Sequence, residues 1–173
     1  MITRDNIKDV LLSPPFSFAD NRGVFSRHYG TADEGFTLEY NSISGDFIYP
    51  EGVTADRNTT KDEHQNESFV VFLCVAQLFE RGYLPQHLKL EGRNYAGNDK
   101  GYCDILVSDN DGNPYLIIEC KTASVDKKDD EFRRHWAKTM RGSDQLFRYF
   151  NTYRKAQYLG IFSIYLTNCL SMS

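Results

Sequence analysis

The sequence predicts an α/β fold with a mixed central sheet, preceded by an N-terminal extension. Three observations lead to this prediction. An apolar stretch with helical spacing occupies about 61–82, three strand-like segments follow it, and a last helix precedes a buried strand near the C-terminus. The order helix, three strands, helix, strand fills residues 61–173, which we take as the core domain, and residues 1–60 form the extension.

The extension has its own pattern of short elements. Residues 1–12 are typical of a short amphipathic helix that ends before Pro14-Pro15. Alternating segments separated by glycines then predict strands of a hairpin and a third strand, at 25–29, 36–40 and 47–49. No chemistry follows from these segments, so we expect an arm particular to its family or a surface for another domain. Residues 52–60 have the composition of a linker.

The first core element is a helix over about 61–82. Thr60 and Glu63 have the spacing of a capping box, and Gly82 ends the apolar periodicity. A strand at about 86–91 and a loop rich in Gly and Asn over 92–100 come next.

Two further strands, 102–108 and 115–121, are joined by the turn segment Asp-Asn-Asp-Gly-Asn. Asp111-Gly112 favours a two-residue type I′ turn, because both positions need a positive φ. That turn places Asp104 directly opposite Glu119, and period-two alternation places Lys121 on the face of Glu119. A slip of one residue in the register would separate them.

Two carboxylates that face each other across a hairpin require a positively charged partner. At about 4 Å they repel by roughly 4 kcal/mol at an effective dielectric constant of about 20. A shared divalent cation removes the repulsion, and hard oxygen ligands suit magnesium or manganese. The alternative is a solvated face on which Lys121 neutralises Glu119. The apolar run at 115–118 argues against it, since it is typical of a strand covered on both faces.

A calcium loop of the EF-hand type is a second alternative for the turn segment. Its Asp109, Asp111 and Asn113 have the initial spacing of such a loop. Pro114 stands where that loop needs Gly, however, and Cys120 stands where it needs Glu. The segment is therefore predicted to be a hairpin turn.

The second core helix is predicted to begin at Gly142-Ser143-Asp144 and to end near Lys155, after a charged connection. The segment 158–166 is predicted to be a final buried strand.

Composition and charge narrow the class of protein. The start of the chain has no signal-peptide pattern and no apolar run reaches membrane length, so we expect a cytoplasmic protein without a membrane partner. The four single cysteines are expected to be buried thiols. The net charge is −4, but residues 121–155 hold ten Lys or Arg against five Asp or Glu. This basic third is compatible with phosphate contact, although a solvated helix would have the same composition.

Asp104 and Glu119-Cys120-Lys121, with fourteen residues between Asp104 and Glu119, resemble the D…(D/E)xK signature of the PD-(D/E)XK nucleases. The surrounding GYCDILVSDNDGNPYLIIECKT is similar to the nuclease domains of type I restriction subunits and of restriction–methylation fusion enzymes. The resemblance covers about 60–165 and implies a restriction-endonuclease-like core. Cys103 stands where the family name has Pro.

The resemblance also implies a metal site. Asp104, Glu119 and the backbone carbonyl of Cys120 would hold Mg²⁺, with Mn²⁺ able to substitute. Glu67, which we favour over Glu63, would supply the additional helix acid, and Lys121 would position the attacking water and stabilise the transition state.

DNA contacts are implied farther along the chain. Gln145 and Tyr149 match a QxxxY motif found in some branches of the family, where they would hold a phosphate or orient the metal site. Basic side chains that could supply contacts to phosphates are Arg133, Arg134, Lys138, Arg141, Arg148 and Arg154.

The implied function is a magnesium-dependent deoxyribonuclease, namely the endonuclease domain of a type I or fused type II restriction–modification enzyme. Its substrate would be double-stranded DNA, and methylation, specificity or translocation would belong to other domains or subunits, since no GxxxxGK[ST] motif is present. Alternatives are an inactive module of the same fold for DNA binding or assembly, a repair or recombination nuclease, and a plain interaction domain.

Overall fold

A computed structural model describes residues 2–3, 5–12, 16–19, 22–31, 33–93, 101–123, 131–140 and 156–164. Within these ranges the protein is mixed α/β, with more strands than helices and two separate sheets. The α-helices are α1 (Ile7–Leu12), α2 (Asn66–Glu80) and α3 (Glu131–Met140), and a 3₁₀ turn spans Pro85–His87. The strands are β1 (Ser17–Ala19), β2 (Val24–Gly30), β3 (Gly35–Asn41), β4 (Asp46–Ile48), β5 (Thr54–Ala55), β6 (Leu88–Arg93), β7 (Tyr102–Ser108), β8 (Pro114–Cys120) and β9 (Tyr158–Phe162).

The first sheet is an antiparallel meander in the order β1-β2-β3-β4. It confirms the hairpin and the third strand predicted from alternation, and α1 occupies only the second half of the predicted helix 1–12. Phe25 pairs with Tyr40 and Tyr29 with Phe36 across β2 and β3. Aromatic residues paired in this way give the sheet one strongly apolar face.

The second sheet is mixed, as predicted, in the order β5-β6-β7-β8-β9. Strands β6, β7 and β8 form an antiparallel meander, whereas β5 and β9 are parallel to their neighbours at the two edges. The expectation of a linker over 52–60 was wrong at Thr54 and Ala55, because these residues pair with β6 as an edge strand.

Helix α2 lies between the two sheets. Its apolar residues share one buried cluster with side chains of both sheets, including Phe47 from β4 and Ile105 from β7. Phe72 stacks on Phe47 with 4.8 Å between ring centroids, and Phe79 meets Phe36 edge-on at 4.7 Å. A helix that is apolar on all sides needs cover on all sides. The first sheet supplies that cover on the side that the second sheet leaves open.

The beginning of α2 differs from the prediction. The helix spans Asn66–Glu80 rather than 61–82, and its N-cap is Gln65, without a side-chain capping bond. The capping box at Thr60 and Glu63 was wrong. The reason is a contact distant in sequence, because Glu63 accepts a hydrogen bond of 2.7 Å from the hydroxyl of Tyr40.

The turn between β7 and β8 is also different. The amide of Gly112 donates to the carbonyl of Asp109 at 3.1 Å, and the amide of Asp109 donates to the carbonyl of Asn113 at 2.9 Å. Gly112 has φ +77°. These contacts define a three-residue loop with a glycine in the left-handed region, not the predicted two-residue type I′ turn.

A bulge in β8 restores the predicted register. Ser108 pairs with Pro114 but Val107 pairs with Leu116, so Tyr115 is an additional residue in β8. At Val107 and at the residues of β7 that precede it, the pairing is the one that a two-residue turn would have given.

The C-terminal part contains one helix that the sequence did not predict. Helix α3 occupies the segment expected to be a charged connection. The predicted helix over 142–155 lies outside the described residues, and β9 confirms the first part of the predicted strand 158–166. Three of the four cysteines, Cys74, Cys103 and Cys120, are buried free thiols as expected. In the described ranges, no helix combines the length and apolarity that a membrane crossing requires.

Replacement of Phe72 by Ala is expected to lower the free energy of unfolding by about 3–5 kcal/mol, because it opens a cavity between α2 and the first sheet. Urea denaturation followed by circular dichroism measures the change. Phe18→Ala, at a ring that is 40% exposed, is the matched control and should cost about 1 kcal/mol. Equal losses for the two variants would contradict a core that is continuous through α2.

Candidate functional site

Strands β7 and β8 bring Asp104 and Glu119 together. Ile105 pairs with Ile118, and Asp104 and Glu119 are the next residues in that register. The amide of Cys120 donates a hydrogen bond to Oδ2 of Asp104 at 2.6 Å. This bond orients the carboxylate of Asp104 toward the end of β8, where Glu119 stands.

Lys121 follows directly after β8. Its Nζ lies 2.9 Å from Oε1 of Glu119, and the two side chains are only 9% and 6% exposed. The backbone of Lys121 is fixed as well, since its amide donates to the carbonyl of Phe162 in β9 at 2.9 Å. Contact between Lys121 and Glu119 agrees with the predicted placement on one face.

Glu67, in the first turn of α2, completes the cluster. Its Oε1 lies 2.7 Å from Nζ of Lys121, and its side chain is 33% exposed. Glu63 instead contacts Tyr40 of the first sheet. The structure therefore places Glu67, rather than Glu63, beside the hairpin acids. Lys121 bridges the helix carboxylate and a strand carboxylate.

The cluster of Asp104, Glu119, Glu67 and Lys121 contains three acidic side chains and one basic side chain. Burial raises the pKa of Asp104 well above its ordinary value, Glu119 and Glu67 raise it further, and Lys121 only partly opposes them. For Lys121, burial lowers the pKa, but the combined attraction of Glu119, Asp104 and Glu67 outweighs burial and raises it. Lys121 is therefore a cation at neutral pH, surrounded by more carboxylates than it can neutralise.

A hard divalent cation fits the donor chemistry of this cluster. Asp104 and Glu119 offer carboxylate oxygens, and backbone carbonyl oxygens such as that of Cys120 are ligands of the same class. Among the described residues, no three His, Cys, Asp or Glu side chains converge as a complete metal-binding group. In this arrangement the helix acid is engaged with Lys121, so a backbone oxygen and water would have to complete a metal's shell.

The raised pKa of Asp104 sets the sign of a pH effect. The folded state binds this proton more tightly than the unfolded state, so stability should fall as pH rises from the ordinary aspartate value through the raised one. We expect the free energy of unfolding of the wild type, relative to Asp104→Asn, to decrease as pH rises above about 4, the ordinary range of an aspartate. Urea titrations in chelator measure it. Parallel pH curves for the two proteins would contradict the raised pKa.

Only some of the residues predicted to contact DNA lie in the described part of the chain. Gln145, Tyr149, Arg141 and Arg148 lie outside the described residues, as does Arg154, so their roles stay predictions. The described basic residues Arg133, Arg134 and Lys138 have exposed side chains on α3.

Sequence reasoning missed Glu91, a further buried acid near the site. Glu91 is in the interior of β6, only 5% exposed, at the level of Asp104 in the neighbouring strand. The sequence gives no sign of this burial, because Leu88-Lys89-Leu90 alternates between apolar and polar residues and Glu91 stands at a polar position of that alternation.

Comparison with protein families gives one finding. Residues 66–172 match the family model described as the N terminus of the type I restriction enzyme R protein (HSDR_N). The match begins with the first residue of α2 and contains Glu67, the hairpin and Lys121. No curated protein matches the chain in the corresponding search.

Proposed function

The chain belongs to the family of type I restriction enzyme R protein N termini, and on that premise we propose that it is a metal-dependent DNA endonuclease domain of a restriction–modification system with a PD-(D/E)XK core. The observation that carries the proposal is the convergence of Asp104, Glu119 and Lys121 at the ends of β7 and β8, with Glu67 against Lys121. The family match alone supports only a part in restriction–modification.

The proposed metal is magnesium, with manganese as a substitute. Asp104, Glu119 and the carbonyl of Cys120 would hold it, and Glu67 would support the site. When bound, the ion would lower the pKa of a coordinated water and offset negative charge on the phosphate. Burial and the nearby carboxylate of Glu119 both raise the pKa of Asp104, and the repulsion between these two acids is the physical reason for the site to favour a cation.

Lys121 would act as a cation and not as a general base. A base near neutral pH needs a pKa well below the ordinary lysine value, whereas the surrounding carboxylates raise it. The ammonium group would position the attacking water and stabilise charge on the transferred phosphate. Its burial between Glu119 and Glu67 holds it in one place, which this role requires.

Double-stranded DNA is the proposed substrate. The exposed basic side chains of α3 would contact its phosphates together with Arg141 and Arg148, and Gln145 and Tyr149 would contact it close to the site. Such contacts release counterions, so binding should weaken steeply as salt rises. Other subunits or domains of the same system would supply target recognition, methylation and translocation.

The test begins with calorimetric titration of Mg²⁺ or Mn²⁺ into the protein, followed by incubation with supercoiled circular DNA. The proposal expects metal binding and conversion of the circle to nicked or linear DNA, which chelator abolishes. A folded protein that binds neither ion and leaves the circle intact would instead support the non-catalytic module. Cutting of branched or free-ended DNA alone would support the repair nuclease.

A further inference from the structure

Glu91 has an unusual backbone for a strand residue. Its φ is +49°, and among the described residues it alone combines a positive φ with a side chain other than hydrogen. The pairs Leu90–Ile105 and Gly92–Cys103 flank it, so it stands opposite Asp104 on β7. This conformation is costly for a residue with a Cβ atom and easy for glycine. The glutamate side chain is therefore expected to have a use at this position.

The carboxylate of Glu91 is bound by one residue of the segment before α2. Thr59 donates its backbone amide to Oε2 at 3.0 Å and its hydroxyl to Oε1. Both carboxylate oxygens of Glu91 thus accept a hydrogen bond from Thr59. The carboxylate accordingly faces the segment that leads into the helix and not the hairpin acids.

Thr59 connects this contact to the first turn of α2. The hydroxyl of Ser68 donates to the carbonyl of Thr59 at 3.3 Å, and Ser68 is 2% exposed. Ser68 is the neighbour of Glu67 in the helix. Gln65 provides no side-chain cap, so the hydrogen bonds from Ser68 through Thr59 to Glu91 secure a helix end that lacks its own cap.

We propose that Glu91 is a positioning residue that acts through Thr59 and Ser68 to hold Glu67 against Lys121. Its catalytic consequence rests on the proposed nuclease function, whereas its structural consequence does not. Loss of the Glu91 carboxylate frees Thr59, loosens the first turn of α2 and lets Glu67 move away from Lys121.

Hydrogen exchange tests the structural consequence without any assay of activity. Glu91→Gly accepts a positive φ and removes the carboxylate, so strain is not increased. We expect amides in the first two turns of α2 to exchange about tenfold faster, while amides in its last turn keep their wild-type rates. Unchanged exchange in the first turns, or equal acceleration along the whole helix, would overturn the proposal. If Glu91→Gly does not fold, Thr59→Val removes the hydroxyl donor and makes the same distinction.

A double-mutant cycle tests the catalytic consequence. Glu91→Gly should lower the rate of DNA cleavage about tenfold in the wild type and have no further effect in a Glu67→Gln protein. Glu91→Gln should recover most of the rate, because its amide group can still bond Thr59. Equal losses in the two backgrounds would refute action through Glu67. If the wild type cuts no DNA, the nuclease proposal fails, and hydrogen exchange alone decides the role of Glu91.

Discussion

Asp104→Asn is expected to abolish detectable metal binding and to reduce DNA cleavage about a thousandfold or more. Asparagine has nearly the same volume and can still accept the bond from the amide of Cys120. The fold should therefore survive, and removal of a negative charge beside Glu119 should leave stability equal or higher. Calorimetric titration with Mn²⁺ and cleavage of circular DNA measure the two losses.

Asp111→Asn is the matched control, because it makes the same change of charge at the exposed turn of the same hairpin. It should bind metal and cut DNA as the wild type does. If Asp104→Asn keeps the metal affinity of the control, the hairpin carboxylates are not the metal site. If Asp104→Asn binds metal as the control does but no longer cuts DNA, Asp104 acts on the substrate instead.

Lys121→Met should lower the free energy of unfolding by about 3–5 kcal/mol, in addition to abolishing cleavage. The reason is that Glu119, only 6% exposed, loses its ammonium partner while Asp104 stays close. Chemical denaturation in chelator measures the loss. Because a cation can replace the missing ammonium charge, saturating Mg²⁺ should stabilise this variant more than it stabilises the wild type.

Two comparisons make the Lys121 experiment specific. Lys89→Met breaks an ion pair with Asp56 in the same sheet, but these side chains are 40% and 25% exposed, so the loss should stay below about 1 kcal/mol. The double variant Lys121→Met with Glu119→Gln should recover most of the stability, since the buried Glu119 side chain is then neutral. Equal losses for Lys121→Met and Lys89→Met would refute a buried ion pair of this strength.

The hairpin acids could be located from sequence, although the turn itself was predicted wrongly. Alternation and turn composition placed Asp104 beside Glu119, and the register of the strands agrees. The loop is one residue longer than predicted, and the bulge at Tyr115 compensates for it. Strand register is fixed by burial of an apolar face, so the loop adapts to the sheet and not the reverse.

Other features could not be predicted, because they depend on contacts distant in sequence. The segment before α2 has the sequence pattern of a capping box, but in the structure Glu63 accepts a hydrogen bond from Tyr40 of the first sheet. The positive φ of Glu91 has no local signature, since sequence propensity would assign that conformation to glycine or asparagine. Helix α3 has good helix formers such as Glu131, Ala137 and Lys138, but its many charged residues are also typical of an exposed connecting segment.

The position of α2 between two sheets has a practical consequence for any attempt to work with a minimal domain. The family match begins at Asn66, which invites removal of everything before it. That truncation would uncover Phe72 and Phe79, which now pack on rings of the first sheet. It would also remove Thr59, the anchor of Glu91. A large newly exposed apolar surface promotes aggregation. The shortened protein should accumulate as insoluble material, and its inactivity would say nothing about the chemistry of the carboxylates.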